Sequence, residues 1–270
     1  LFLPNPNAQN LLETLRPPFV NWQYPLGTDE LGRDVLSQLL HGLRVSLLVG
    51  FVCSLISASI GVPLGLIAGL RGPWLETIIM RATEVQMALP TVLLALVTLA
   101  LLGAGLSNLI VVIGVFGWAG FARYTRATVL TERQLEYVLA AKALGANDNR
   151  TIMRHILPNV ASGIFLQISL DFPQNIMLEA SLSFLGVGVG VDTPSLGAMV
   201  SKGYNHLFSG AWWLSFLPGG LIMLLVWHVT ALSEKIRILT DPRVRELTDP
   251  RVRELTDPRV RELTDPRVKK

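Results

Sequence analysis

Three charge-free runs divide the chain. Val45–Leu70, Val85–Ala122 and Gly203–Ser233 contain no Asp, Glu, Lys or Arg. A hydrocarbon core about 30 Å thick is crossed by roughly 20 apolar residues wound as a helix, so the first and third runs each fit one span. The second is too long for one. It breaks at Gly103-Ala104-Gly105, followed by Ser107-Asn108, and reads as two spans joined by a short hairpin. A further span starts at Pro158. The predicted spans are A, 45–70; B, 77–102, with Pro90 inside it, which lacks an N–H and is expected to kink the helix; C, 106–128; D, 158–182; and E, 211–233. A soluble helix shows a charged face, and these runs show none for many turns. The expected class is all-α, a polytopic transmembrane bundle of about five spans.

Outside the spans the pattern changes. Residues 1–42 are polar and Pro-containing, and end in a predicted short helix, Asp34–Leu43, with Val35, Leu39 and Leu43 at i, i+4 and i+8. Three regions follow: an extracytoplasmic segment, 1–42; a membrane domain, 43–235, with a cytoplasmic loop at 131–157; and a tail, 236–270. In the tail TDPRV recurs at 240–244, 248–252, 256–260 and 264–268. Those units hold too little apolar surface to fold alone, so the tail is expected to be disordered. A glycine-rich loop, 186–197, leads to a re-entrant or surface segment before span E.

Lys and Arg in short loops set the orientation. The A–B loop side carries Arg71 and Arg81. The C–D side carries Arg123, Arg126, Arg133, Lys142, Arg150 and Arg154. The B–C loop has no charge and the D–E loop only Lys202. The N-terminus is therefore expected outside and the C-terminus in the cytoplasm of a multi-pass inner-membrane protein.

Composition narrows the chemistry. Half the residues are apolar, 16% are charged, and the net charge is +3. The single cysteine, Cys53, lies in an apolar run and makes neither an internal disulfide nor a metal site. His206 and His228 are too isolated to argue for a metal. There is no GxxxxGK[ST] loop and no nucleophile–base or metal-ligand cluster. The chain is expected to be no enzyme, with no catalytic residues, no metal, no cofactor of its own and no nucleic-acid partner.

The informative stretch is Glu136–Asn159, EYVLAAKALGANDNRTIMRHILPN. It reads as two short helices and a turn. Tyr137, Ala141 and Leu144 give the first an apolar stripe. Gly145 suits its left-handed end, and Asn147 or Asp148 caps the second. Ile152 and Ile156 form an apolar side there, with Arg150, Arg154 and His155 on the basic one. Pro158 fits the first turn of span D. Such an element either lies in the lipid interface or docks on another protein. Its alanines and glycine favour docking, since they permit close backbone approach.

This string resembles the EAA loop of ABC importer permeases, with Glu136, Ala140, Ala141, Gly145, Leu157 and Pro158 in the matching places. His155 and Asn159 match the HILPN ending of the peptide/nickel branch. Three more stretches are similar to that branch: PLGTDELGRDVLSQLLHGLRVSL (Pro25–Leu47), GWAGFARYTRATVL (Gly117–Leu130) and LEASLSFLGVGVGVDTPSLGAMV (Leu178–Val200). The resemblance covers roughly residues 25–235. It implies an ABC type I importer permease fold and a permease subunit forming half of a path for peptides or nickel. It further implies two separate ATPase subunits that use the ATP, a second homologous permease, an extracytoplasmic substrate-binding protein, and membrane lipid around them. The coupling loop is then Glu136, Tyr137, Ala140, Ala141, Gly145, Ala146, Arg154, His155, Leu157 and Pro158. Two departures stand out. A span that usually precedes the outward segment is expected to be cut off or lost here. The ending ALSEKIRILTDP keeps only Asp241-Pro242 of the branch's acidic string.

Polar residues inside spans complete the reading. Asp171, Asn175 and Glu179 form an i, i+4, i+8 stripe on span D. Ionisable groups at membrane depth face a cavity or a partner, so this stripe either lines the substrate path or hydrogen-bonds neighbouring helices. Met87 and Pro90 are further path candidates, and Arg81 and Glu84 are spaced to pair. An ion-gradient-driven secondary transporter or channel would account for the acidic stripe, but not for the EAA-like loop.

Overall fold

The computed structural model describes residues 5–145, 147, 152–190 and 193–240; for Lys142, Met153, His155, Leu239 and Thr240 it describes the backbone alone. The repeated tail from Asp241 onward, Ala146, Asp148 and Arg150 lie outside the described residues, so the expectations attached to them stop at the sequence.

The architecture is all-α. The first long helix, α1 (Val35–Leu70), runs for 36 residues, about 54 Å at 1.5 Å per residue. The short helix expected at 34–43 and span A are therefore one element. Nothing between them breaks a helix, and the Asp34 side chain caps the start by accepting from the Leu36 and Ser37 N–H groups.

Span B is two helices. α2 (Pro73–Met87) and α3 (Thr91–Leu102) meet at 83°, because Pro90 has no N–H to continue the ladder and pushes Leu89 out of the helical region. α4 (Leu106–Phe116) and α5 (Trp118–Glu132) are span C, stepped at Gly117 and reaching four residues further than predicted. Asn108 closes the α3–α4 hairpin by donating to the Leu102 and Gly103 carbonyls, both at 3.0 Å. A short helix, α6 (Glu136–Ala143), and a π-helical turn, Ile152–Ile156, precede α7 (Leu157–Phe184). α8 (Leu196–Tyr204) and α9 (Trp213–Thr240) finish the described fold.

Among the described residues three helices are long and apolar enough to cross a membrane, and four if α2 and α3 count as one bent span; the sequence reading had five. The difference is α7. At 28 residues it is about 42 Å long, but Asp171, Asn175, Glu179 and several hydroxyls lower its hydropathy. The coarser conclusion holds: this is an all-α, polytopic membrane bundle.

α1 is the mast. Gly61, Gly65 and Gly69 put a flat stripe against α5, where a Cβ on Gly65 would come within 2.6 Å of the Ala122 carbonyl oxygen and of Thr125 Cβ. Small residues let helices approach in lipid, where no hydrophobic effect pulls them together. One apolar core joins α1 to α3, α4 and α7 through Val49, Leu99, Leu109, Ile113 and Leu182. Outward faces of α3 and α9 leave Leu101, Met223 and Trp227 exposed, the surface a bilayer would cover.

Residues 5–34 fold over one end of α1. Asp29 is the hub: it accepts from Leu31 N, Arg33 N, Arg33 Nε (2.7 Å) and Gln38 Nε2 (2.9 Å). Gly27 and Gly32 hold positive φ angles of 81° and 69°, which glycine adopts without strain. Trp213 Nε1 donates to the Thr28 carbonyl at 3.3 Å, tying the segment to the start of α9. That start and Val35 of α1 thus mark one common end of the bundle.

Candidate functional site

The EAA-like loop sits at the opposite end. It is anchored on one side and open on the other. Val138, Ile156 and Val160 pack with Val129 in a buried cluster below Leu66 and Leu70 of α1. Arg133 Nη1 donates to the Gly69 carbonyl at 2.7 Å, locking the start of the loop to the end of α1. Tyr137 donates its hydroxyl proton to Glu132 Oε2 at 2.5 Å and accepts from Asn159 Nδ2 at 2.6 Å, so one ring bridges α5, α6 and α7. Desolvation, then the neighbouring Glu132 carboxylate, holds this phenol above its ordinary pKa.

The stripe predicted on α6 is not the face the chain buries. Val138 is the buried residue, while Tyr137 is partly exposed and Leu144 is 89% exposed. Glu136, Leu139 and Ala140 also face outward. Gly145 has φ +83°, and a Cβ there would meet nothing within 4 Å. Its backbone conformation favours glycine; no neighbour among the described residues does. Ala141 is half-buried, Arg154 and Pro158 are exposed, and Leu157 is intermediate at the first turn of α7. Ala146 and the side chain of His155 lie outside the described residues. Ile152 and Ile156 are indeed the apolar side of their segment, although it is a π turn.

The polar stripe of α7 points at α1. Glu179 is fully buried and accepts from Ser46 Oγ and Ser183 Oγ, both at 2.8 Å. Asn175 Nδ2 donates to Ser54 Oγ at 3.0 Å and to Asp171 Oδ2 at 2.8 Å. Ser46 and Ser54 lie two turns apart on α1, as Asn175 and Glu179 lie one turn apart on α7, so the two helices meet along a polar seam. The hydroxyl partners were missed in the sequence. Their signal is the serines recurring through an apolar run, at 46, 54 and 57.

An open cleft of about 1040 Å³ lies between α2 and α5, with Gln167 of α7 at its side. Met87, Arg81, Glu84, Arg123 and Arg126 line it. Pro90 is exposed at the bend just beyond. Arg81 Nη1 pairs with Glu84 Oε2 at 2.8 Å, as its spacing predicts. Arg126 Nε donates to Glu76 Oε1 at 2.9 Å and joins α5 to α2. Among the described residues no group of three or more His, Cys, Asp or Glu is arranged to hold a metal ion.

Known proteins are similar to this chain in sequence and in fold. Residues 61–245 match the family model described as binding-protein-dependent transport system inner membrane component. The dipeptide transport system permease protein DppC of Bacillus subtilis is 39% identical over 235 residues, which is 87% of this chain and 73% of that protein. The glutathione transport system permease protein GsiD of Pectobacterium atrosepticum is 37% identical over 227 residues, 84% of this chain and 74% of that one. A chain of the MetNI methionine ABC transporter, in an inward facing conformation, superposes with a TM-score of 0.60 at 19% identity, over 76% of this chain and 96% of that one. A match of that extent, together with relatives sharing more than a third of their residues, decides the question: the chain belongs to the family of inner membrane components of binding-protein-dependent transport systems.

Proposed function

We propose that the chain is one permease half of an ATP-binding-cassette importer for peptides, with nickel as the other cargo of this branch, and that the Glu136–Pro158 loop is where the ATPase takes hold. Members of the family are transport components, not enzymes, and relatives are named for dipeptide and oligopeptide transport. The observation that carries the loop reading is its two-sidedness. Val138, Ile156 and Arg133 fix it to α1, α5 and α7, while Leu139, Ala140 and Leu144 face away from the chain. An element built this way hands motion from a partner to the helices it is bolted to.

The partners in this reading are two ATPase subunits, a second homologous permease and an extracytoplasmic binding protein. ATP closes the ATPase pair, and the loop transmits the movement. Coupling of this kind requires the loop to make different contacts in the two states. α7 counts as the fifth span, with its polar stripe turned to α1 rather than to lipid. In this reading the end carrying Asp29, Val35 and Trp213 lies outside and the loop end with Arg133 and Arg154 lies in the cytoplasm, which the Lys and Arg distribution supports. The path runs along the α2–α5 cleft, past Met87 and the Pro90 bend. Asp171, one turn beyond Gln167 on α7, is the stripe residue nearest to it in sequence; Asn175 and Glu179 hold α7 to α1.

The test is co-purification from membranes with the ATPase subunits of its own system, comparing wild type with Gly145→Asp and Leu144→Glu. Gly145→Asp strains a left-handed position. Leu144 is 89% exposed among the described residues, and surface changes of that kind shift stability by less than about 0.5 kcal/mol. Both variants are expected to lose the ATPase while the permease stays folded. Retention of the ATPase by Leu144→Glu refutes the docking face.

A further inference from the structure

Four arginines lie near the cleft and its base, and three have partners inside the chain. Arg81 pairs with Glu84, Arg126 with Glu76, and Arg133 with the Gly69 carbonyl. Arg123 is different. Among the described residues its one hydrogen-bonding contact is Nη1 to Met87 Sδ at 3.3 Å. A thioether is a weak acceptor, and a guanidinium has five N–H donors in a fixed fork. The side chain is exposed and lines the cleft.

Its depth makes that unusual. Arg123 stands nine residues before the end of α5 at Glu132, about 13 Å up the helix. Arg81 stands eight residues after the start of α2 at Pro73, about 12 Å up. Arg123 reaches Met87, at the far end of α2, so its side chain lies well along the paired helices and not at their shared base. An ionisable group in a cleft between membrane helices faces water or a ligand, and among the described residues this guanidinium is paired with no carboxylate.

We propose that Arg123 is a carboxylate-receiving group of the translocation cleft, taking the C-terminal carboxylate of a passing peptide in a forked, two-point contact. This rests on the peptide-importer reading above. The chemistry suits a carrier of varied cargo. Every peptide ends in a carboxylate whatever its side chains, and an arginine fork matches that group's two oxygens. Met87 is an easily displaced placeholder, since its sulfur gives the fork little. It also stands one turn before the Pro90 bend, so an occupied Arg123 would free Met87 at the point where α2 turns into α3.

The experiment uses the whole complex, with ATPase subunits, partner permease and binding protein. The buried Cys53 is changed to Ser and a reporter thiol is placed one turn from Arg123 by Ala127→Cys, an exposed cleft position. Its modification by anionic and cationic methanethiosulfonates is timed, with and without dipeptides, and with the same dipeptides as C-terminal amides. The anionic reagent is expected to be favoured, and R123Q to lower that preference about tenfold, the lower end of electrostatic focusing in a cleft. Free-acid dipeptides should slow modification and amides should not. In R123Q the protection should vanish, and R123K should restore part of it.

Equal protection by acids and amides, or protection that survives R123Q, overturns the proposal. So does a reporter thiol that neither reagent reaches, because the face is then covered by lipid or by the second permease. Uptake by the complex with Arg123 intact separates the two levels. If that complex imports no peptide with ATP and binding protein supplied, the peptide reading itself has failed. If it imports peptides while the thiol results go against Arg123, only the assignment of this residue has failed.

Discussion

Replacing Glu179 tests whether the stripe on α7 is a seam or a channel lining. Its carboxyl group accepts two hydroxyl hydrogen bonds, from Ser46 and Ser183, each 2.8 Å long, with no exposure to solvent. The Ser46 bond joins two helices, and such bonds contribute about 0.6 kcal/mol on average and about 1.7 at most in a membrane; the Ser183 bond lies within α7, one turn along, and adds about 0.5–1.5 kcal/mol as an ordinary hydrogen bond, so the two together supply about 1–3 kcal/mol. Glu179→Ala removes both and leaves a void, adding about 1 kcal/mol at the usual cost per unit of cavity volume. The expected destabilisation is about 2–4 kcal/mol. Glu179→Gln keeps the shape, and a serine hydroxyl can turn from donor to acceptor, so its cost should stay below about 1 kcal/mol. The assay is thermal unfolding of the detergent-purified chain followed by size-exclusion. At about 2–4 °C per kcal/mol for a chain of this size, Glu179→Ala should melt about 5–15 °C early and Glu179→Gln within about 4 °C of wild type. A Ser46→Ala, Glu179→Ala cycle should show coupling of about 0.5–1.7 kcal/mol. If Glu179→Gln falls as far as Glu179→Ala, negative charge rather than hydrogen bonding is what matters at this position. If neither changes the melting temperature while uptake collapses, the seam account is refuted and the stripe belongs to the path.

Two other perturbations probe the two ends of the scaffold. Gly65→Leu should prise α1 from α5, because even a Cβ would stand 2.6 Å from the Ala122 carbonyl oxygen and the Thr125 side chain; a loss of about 1–3 kcal/mol or more is expected from overpacking, read as early melting, and an unchanged Tm would mean the helices do not meet there. Asp29→Ala removes a carboxylate that accepts from two backbone N–H groups, Arg33 and Gln38, and leaves the nearly buried Arg33 unpaired, a loss of about 3–5 kcal/mol by analogy with broken buried pairs. The outer segment should then open to trypsin at Arg16 while the ATPase still co-purifies, since the cap and the loop lie at opposite ends of α1. Protease resistance equal to wild type would refute the hub.

How much of this was legible depends on what each residue answers to. The spans were readable because hydropathy is a property of the residue, and Val45–Leu70 or Gly203–Ser233 have no other place to go than an apolar surround. The bend at Pro90 was readable for the same local reason, the missing N–H, although its size was not: a kink and an 83° turn leave the same mark in sequence. The left-handed Gly145 follows from backbone chemistry confined to a few neighbours, whereas Asp34, read as the first residue of a short helix, is in fact the cap of a long one. What stayed hidden was every property set by a helix far along the chain. Asp171, Asn175 and Glu179 announce a polar face on α7, but whether that face meets a cavity or Ser46 and Ser54 is decided by α1, more than 100 residues earlier.

The α6 stripe fails in the opposite way, and the failure is informative. Periodicity marks Tyr137, Ala141 and Leu144 as apolar, and the usual inference is that a helix buries such a face in its own chain. Here the chain buries Val138 and leaves Leu144 and Leu139 in the open, so the pattern was correct about chemistry and silent about whose core it completes. Exposed apolar residues on a water-facing loop are stabilised only by something that covers them. Arg123 poses the same question inside the bundle: among the described residues its donor fork has only a sulfur for company, and in the proposed role a cargo carboxylate supplies its other half. On the docking-loop and cargo-carboxylate readings, both features mark places where a subunit ends and a partner or a cargo begins.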